Sequence, residues 1–325
     1  MNVLEMKNLK VIFPGVHGVI RAVEGVDITI AKGECLALVG ESGCGKSVTS
    51  LALMKLLPDS AMIRMDQHRI VDQDVRNYTE KQMEQLRGSK IAIIFQDALS
   101  ALNPVMTIGR QIEEVFLSHS DISPKEARKK AVEALAAVGI PEPERRCKDY
   151  PHELSGGMRQ RVLIAMAFAC NPDVIIADEP TTALDVTIQA QVLDLLRTLQ
   201  KERNTGLLLI THDLSVVRRM ADRIAVMYSG KIVEEAPADL LFKNPLHPYT
   251  KGLMASVAAI AGEGTKFSQI PGHLPDPADK PQGCYFCPRC SCSSPCCAHV
   301  MPSLKEVSPG RYVRCCQMED IPDGK

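Results

Sequence analysis

Over the first 230 residues, short apolar runs rich in Val, Ile and Leu alternate with longer stretches whose apolar positions recur at helical spacing. That alternation is what a mainly parallel sheet covered by helices produces. Cys35-Leu36-Ala37-Leu38-Val39 predicts a fully buried strand, followed by a Gly-rich turn and a helix running through Leu57. Ile91–Phe95, Val174–Ala177 and Leu207–Thr211 predict further strands. Ile224–Tyr228 and Lys231–Glu234 flank Ser229-Gly230, a pair suited to a hairpin turn.

Between the second and third of these strands the pattern is helical. Ser123-Pro124-Lys125-Glu126 reads as a capping box with Pro at the first helical position, and Gly139 is a natural stop. A helical subdomain over about 97–170, inserted into an α/β core, follows from this. After Leu241 prolines recur (Pro245, Pro248, Pro271, Pro275, Pro277, Pro281) and cysteines begin to crowd. The tail reads as a loop-rich extension, too poor in apolar residues to build a core alone.

Composition narrows the class only a little. A chain of 325 residues suits one large domain with an appendix, or two modest ones, and 45% hydrophobic with 24% charged residues is ordinary for a globular protein. The 38 basic and 39 acidic side chains nearly cancel, so the footprint of a nucleic-acid binder is missing, although a local patch would escape this count. Met1-Asn2-Val3-Leu4-Glu5-Met6-Lys7 lacks a signal-peptide layout, and no apolar run nears the roughly 18 residues that span a bilayer. The reading is therefore a cytosolic chain that reaches a membrane only through partners. Of the twelve cysteines, Cys35, Cys44, Cys147 and Cys170 are scattered, and eight crowd between Cys284 and Cys316. In a reducing compartment such a cluster reads as metal or iron–sulfur ligands before disulfides.

Three segments carry chemistry. Gly40-Glu41-Ser42-Gly43-Cys44-Gly45-Lys46-Ser47 fits the phosphate-binding loop G-x-x-x-x-G-K-[ST]. Its glycines let backbone N–H groups point inward, the next helix adds its positive N-terminus, Lys46 would reach the β- and γ-phosphates, and the Ser47 hydroxyl would ligate Mg²⁺. Asp173-Val174-Ile175-Ile176-Ala177-Asp178-Glu179 is an apolar strand ending in two carboxylates: Asp178 suits Mg²⁺, and Glu179 suits polarising an attacking water. Leu154-Ser155-Gly156-Gly157-Met158-Arg159-Gln160-Arg161 opens a helix over Met158–Ala169 and makes a second anion site of the same kind, more than a hundred residues from the first. Two phosphate sites in one chain make sense if the second serves the nucleotide of another copy.

Together these segments resemble ABC ATPases, which are P-loop NTPases with a RecA-like α/β core. The resemblance implies residues 1–240 as the cassette and 241–325 as a C-terminal extension. It implies that Gly40 to Ser47 together with Val48 and Gln96 contact ATP, with Gln96 also touching Mg²⁺ or water. Ser155, Gly156 and Gly157 would contact the ATP of an opposite cassette, and Thr182-Ala183-Leu184-Asp185 resembles the loop that meets that cassette. His212 resembles the histidine that contacts the γ-phosphate, so Glu179, His212 and Lys46 are the implied catalytic groups. Phe13 and His17 are candidates for stacking on adenine, with neither clearly at the family's position.

The resemblance narrows further through Gln96-Asp97-Ala98-Leu99-Ser100-Ala101-Leu102-Asn103-Pro104, Ala183 through Gln191, and Pro245-Leu246-His247-Pro248-Tyr249-Thr250-Lys251-Gly252-Leu253. These look like the dipeptide/oligopeptide/nickel importers. That group implies two membrane permeases, a second ATPase subunit (different or identical), an external solute-binding protein, a place on the cytoplasmic face of the membrane, and no nucleic acid. Its cysteine spacing falls on Cys284, Cys290, Cys297 and Cys315, which would hold a [4Fe–4S] cluster. The extra Cys287, Cys292, Cys296 and Cys316 leave zinc, or no metal, open. A nickel-importing relative, and a non-transport ABC ATPase of translation or DNA repair, remain as rivals.

Overall fold

The structure, a computed structural model, describes all residues except 16–17, 183, 261–269 and 319–325. In chain order its strands are β1 (Asn2–Gly15), β2 (Gly18–Ala31), β3 (Cys35–Val39), β4 (Met62–Arg64), β5 (Gln67–Ile70), β6 (Gln73–Asp74), β7 (Ile91–Ile94), β8 (Val174–Asp178), β9 (Gly206–Thr211), β10 (Arg223–Tyr228), β11 (Lys231–Pro237), β12 (Lys305–Ser308) and β13 (Arg311–Val313). The helices are α1 (Lys46–Leu53), α2 (Glu80–Leu86), α3 (Ala98–Ala101), α4 (Ile108–His119), α5 (Pro124–Ala137), α6 (Pro143–Arg146), α7 (Gly156–Phe168), α8 (Val186–Glu202), α9 (Leu214–Met220), α10 (Ala238–Lys243), α11 (Pro248–Ile260) and α12 (Pro295–His299). The chain divides into two compact units. One comprises Met1–Glu5, Thr29–Glu34 and Arg69–Leu209; the other comprises Met6–Ile28, Cys35–His68 and Ile210–Lys325.

In the first unit β8 lies between β9 and β7, and β7 runs parallel to it in the register Ile91↔Val174 to Ile94↔Ala177. Every residue of β8 and of β9 is buried, so these strands read as unbroken apolar runs rather than alternating ones. The helices α3 to α7 fill the stretch read as a helical subdomain, with α7 packed on α5, α8 and β7. Ser123 caps α5 by accepting the Glu126 N–H at 3.3 Å, Pro124 opens it, and Gly139 follows its end at φ 73°.

In the second unit β10 pairs parallel to β3 and antiparallel to β11, which continues through β13 to β12. Ser229 and Gly230 both take positive φ, 43° and 86°, as a primed two-residue hairpin turn demands. Helix α1 stops at Leu53 instead of running through Leu57. Lys55 adopts a left-handed conformation, and the Lys55 and Leu56 amides return to Ala52 and Leu51. That is a Schellman ending, with lysine in the place usually held by glycine, so no sequence signal marks it.

Two features were not anticipated. Strands β1 and β2, fourteen residues each, form a sheet with the path β2-β1-β5-β6 and with β4 on β1. Their alternation is hidden because each changes phase. Asn8 at φ 53° moves the buried face from Leu4 and Met6 to Leu9 and Val11, and Gly25 at φ 77° moves it from Val23 to Val26 and Ile28. Such single-residue bulges swap which parity faces inward.

The second concerns the extension, which is less loop-like than the sequence implied. It holds the thirteen-residue helix α11, opened by Pro248, and the strands β12 and β13. It completes a core rather than building one: Tyr249, Met254 and Phe286 pack with Val39, Val226 and Tyr228. The Tyr228 ring meets Tyr249 edge-on at 4.7 Å and Phe286 at 5.2 Å, each such pair contributing about 0.5–1.5 kcal/mol beyond burial. Beneath them the fully buried Glu234 carboxylate accepts the Leu246 and His247 amides at 3.0 and 2.8 Å and pairs with Arg311 at 3.1 Å.

Candidate functional site

The loop Gly40–Ser47, which fits the phosphate-binding pattern, joins β3 to α1 in the second unit. Gly40 is required by space as well as by φ: a Cβ there would stand 2.2 Å from the Met227 carbonyl oxygen. Gly45, at φ 110°, occupies the N-cap of α1, and no side chain caps the helix there. The Lys46 ammonium is buried within the loop and donates to the carbonyls of Gly40 and Glu41 at 2.8 and 3.0 Å. A cation held by two loop carbonyls at a helix N-terminus is arranged to meet an anion. Cys44, within the loop, is buried. Burial pushes its thiol up, against the pull of Lys46, so it stays neutral. Ser42, Gly43 and Ser47 are exposed, and Val48 is half-buried.

In the same unit Glu41 is held from outside the loop. Its backbone N–H donates to the Tyr249 hydroxyl at 2.9 Å, and its carboxylate pairs with Arg289 at 3.0 Å. The sequence marks Tyr249 only within the Pro245–Leu253 segment and Arg289 not at all, and it links neither to Glu41, because both lie more than two hundred residues away in the extension. Phe13 is half-buried in β1, His212 is exposed after β9, and His17 lies outside the described residues.

In the first unit β8 delivers Asp178, 8% exposed, and then Glu179 at φ 47°. A non-glycine residue in that conformation stores strain of order 1–3 kcal/mol, which surrounding structure must hold. Part of that hold is visible. The Glu179 carboxylate accepts the Gln96 side-chain amide at 3.0 Å and the Thr182 hydroxyl at 2.9 Å. Residues 96 and 179, eighty-three apart in sequence, are thus brought together, and Thr182 joins them. Its neighbour Ala183 lies outside the described residues. This carboxylate, fixed by two donors and half-exposed, is suited to orienting a water.

The first unit also presents the helix start at Ser155. The Ser155 hydroxyl accepts the Met158 N–H at 3.3 Å, while Ser155 and Gly156 are exposed. Arg159 holds the turn before it by donating from Nε to the Pro151 carbonyl at 2.6 Å.

The cysteine segment folds around a short turn at Cys287–Arg289 and the helix α12. Among the described residues, the sulfurs of Cys296, Cys297 and Cys316 lie within 4.8 Å of one another. Of these only Cys297 belongs to the expected set of Cys284, Cys290, Cys297 and Cys315. Burial pushes the Cys284 thiol up to about 11 and raises Cys290 and Cys315, and for all three the field of Cys297 adds to the rise. Burial opposes ionisation of Cys297 too, but hydrogen bonds from Ser294 and from the Cys316 and Cys296 thiols bring it below the ordinary value. Thiols gathered so closely favour a soft cation that would take their protons' place.

Comparison with known proteins identifies the family. Residues 23–182 match the ABC transporter family, and residues 233–297 match the oligopeptide/dipeptide transporter C-terminal region. The chain is 51% identical to the oligopeptide transport ATP-binding protein AppD of Bacillus subtilis over 98% of its own length and 97% of the relative's. It is 47% identical to the dipeptide transport ATP-binding protein DppD of the same organism, covering 96% and 94%. Among solved structures, the ATP-binding cassette MJ0796, in a dimeric post-hydrolysis state bound to ADP and Pi, aligns with a TM-score of 0.62 at 29% identity, over 72% of this chain and 98% of that one. The chain is an ABC ATPase, a member of the ABC transporter family that carries the oligopeptide/dipeptide transporter C-terminal region.

Proposed function

We propose that the chain is the ATP-hydrolysing subunit of an importer of dipeptides or oligopeptides, seated on the cytoplasmic face of the membrane. Supporting this, its curated relatives are named as peptide transport ATP-binding proteins over nearly their whole length. No helix among the described residues is long and apolar enough to cross a membrane, so attachment would run through permease subunits. The observation that carries the reading is the presence, in one chain, of a loop that fits the phosphate-binding pattern and of a second helix start at Ser155-Gly156-Gly157 whose Ser155 and Gly156 are exposed. A single nucleotide does not need both, so the second serves a facing cassette. That cassette is a different or identical ATPase subunit, and an external solute-binding protein delivers the peptide.

In this reading the loop amides from Gly40 to Val48 and the Lys46 ammonium take the phosphates. The oxygens of Ser47 and of Asp178 are hard donors of the kind Mg²⁺ prefers, and the side-chain oxygen of Gln96 is another of that kind. Magnesium would supply charge neutralisation on the phosphates. Glu179, steadied by Gln96 and Thr182, orients and polarises the attacking water, and His212 meets the γ-phosphate. The reaction is phosphoryl transfer to water, driven by positioning and charge stabilisation. Reconstituted with its permeases and binding protein, the wild-type chain should drive ATP-dependent uptake of a labelled peptide. Glu179→Gln should retain ATP binding while losing about a hundredfold or more of turnover and uptake. Undiminished hydrolysis in that variant would overturn the role of Glu179, and uptake of nickel but not peptide would favour the nickel importers.

The thiol cluster supports a second element, a metal centre in the extension. The family spacing assigns Cys284, Cys290, Cys297 and Cys315 to a [4Fe–4S] cluster, and the Cys296–Cys297–Cys316 grouping offers a zinc alternative. Either metal would act as a structural staple in a segment that lacks a core of its own. Anaerobically purified protein should absorb broadly near 400 nm if iron–sulfur is present. Zinc without colour would select the alternative, and neither metal would remove the centre.

A further inference from the structure

We infer that Arg289, in the cysteine segment, is a positioning residue for the phosphate loop, and that the extension thereby sets the affinity of the cassette for its nucleotide. This rests on the reading of Gly40–Ser47 as the ATP site. Arg289 sits between Cys287 and Cys290 and its side chain is only 6% exposed, yet it reaches the loop's second residue. Its guanidinium is fully fixed. Nε donates to the Pro271 carbonyl at 2.8 Å, Nη2 to the Ile270 carbonyl at 3.3 Å, and Nη1 to the Glu41 carboxylate at 3.0 Å and the Tyr228 hydroxyl at 3.4 Å. It also lies over the Tyr228 ring at 5.8 Å and the Phe286 ring at 6.0 Å. Tyr249, wholly buried, holds the other end of the same residue through the Glu41 N–H.

These two anchors pin Glu41 by main chain and side chain at once. The following amides, from Ser42 to Lys46, then need no ordering when an anion arrives. A loop ordered in advance binds more tightly because less conformational entropy is lost on binding. Because the clamp acts equally on ground state and transition state, its loss should raise KM for ATP and spare kcat. A lysine at 289 would keep the charge but lose the planar fork that spans four acceptors.

The test compares Arg289→Ala, Arg289→Lys, Glu41→Gln and the double variant Glu41→Gln/Arg289→Ala in the full-length chain. Binding is read with a fluorescent ATP analogue, turnover by phosphate release, and folding by circular dichroism. Arg289→Ala should weaken nucleotide binding and raise KM by about tenfold with kcat within about twofold, the size of one charge-assisted contact. Arg289→Lys should recover part of this, and the double variant should be no worse than Arg289→Ala alone. Unchanged affinity in folded Arg289→Ala, or fully additive losses in the double variant, would overturn the clamp. Should Arg289→Ala fail to fold, Arg289→Lys and Glu41→Gln decide, since a folded chain with wild-type KM in both removes the role. Lys46→Ala separates the two levels: if it too leaves binding intact, the ATP site itself is misassigned, and if it alone abolishes binding, only the clamp fails.

Discussion

Glu179 and Gly157 show how far one residue's environment can specify chemistry. At Glu179 the left-handed backbone and two donors to one carboxylate hold a side chain in a place that local preference would not choose. Gly157 is fixed by space. A Cβ there would stand 2.5 Å from Ile188 Cγ2, whereas one at Gly156 would only touch Leu184 at 3.6 Å. Isoleucine in a helix is stiff at χ1, so the contact cannot be relieved by rotation. Gly157→Ala should therefore destabilise the fold by about 1–3 kcal/mol while Gly156→Ala stays close to wild type. Denaturant midpoints would measure both, and Gly157→Ala/Ile188→Ala should recover most of the loss. Equal midpoints for the two single variants would refute this account of Gly156 and Gly157.

Among the elements, α11 and the loop before it connect buried polar chemistry to the phosphate loop. His247 sits just before α11, where its Nδ1 accepts the Tyr249 N–H at 3.1 Å and its backbone N–H donates to the Glu234 carboxylate at 2.8 Å. Burial, with the charge of Arg314 adding, holds its imidazole down to about 3. The unfolded chain would protonate this histidine near the ordinary 6.5 while the folded chain would not. Between those values the unfolded state binds the extra proton, so stability falls as pH falls from about 6.5 toward 3, at up to ~1.4 kcal/mol per pH unit. In His247→Asn the amide oxygen can take over the Tyr249 bond without titrating. Urea unfolding at pH 6.5 and 5.0 should give a smaller pH-dependent loss for the variant than for wild type, and identical losses would exclude His247 as the source.

Across the whole molecule, sequence and tertiary structure contributed differently. The Gly-rich turn at Gly40–Ser47, the strand end at Asp178, the helix start at Ser155 and the strands β3, β7, β8, β9, β10 and β11 were legible because each depends on local rules: buried runs, backbone torsions at glycine, and helix starts. The phase changes at Asn8 and Gly25 hid β1 and β2, and the lysine-ended Schellman turn hid the end of α1, since each breaks the periodicity on which pattern reading depends. What the sequence by itself determined is the conformation of short contiguous segments, because glycine torsions, helix starts and strand burial are written within a few residues. Only the tertiary structure decided that Gln96 and Thr182 meet at Glu179, that Tyr249 and Arg289 hold Glu41, and that the apolar-poor extension shares a core with β3 and β10. Such contacts join residues that lie far apart in sequence, and no local pattern encodes a pairing that exists only once the chain has folded.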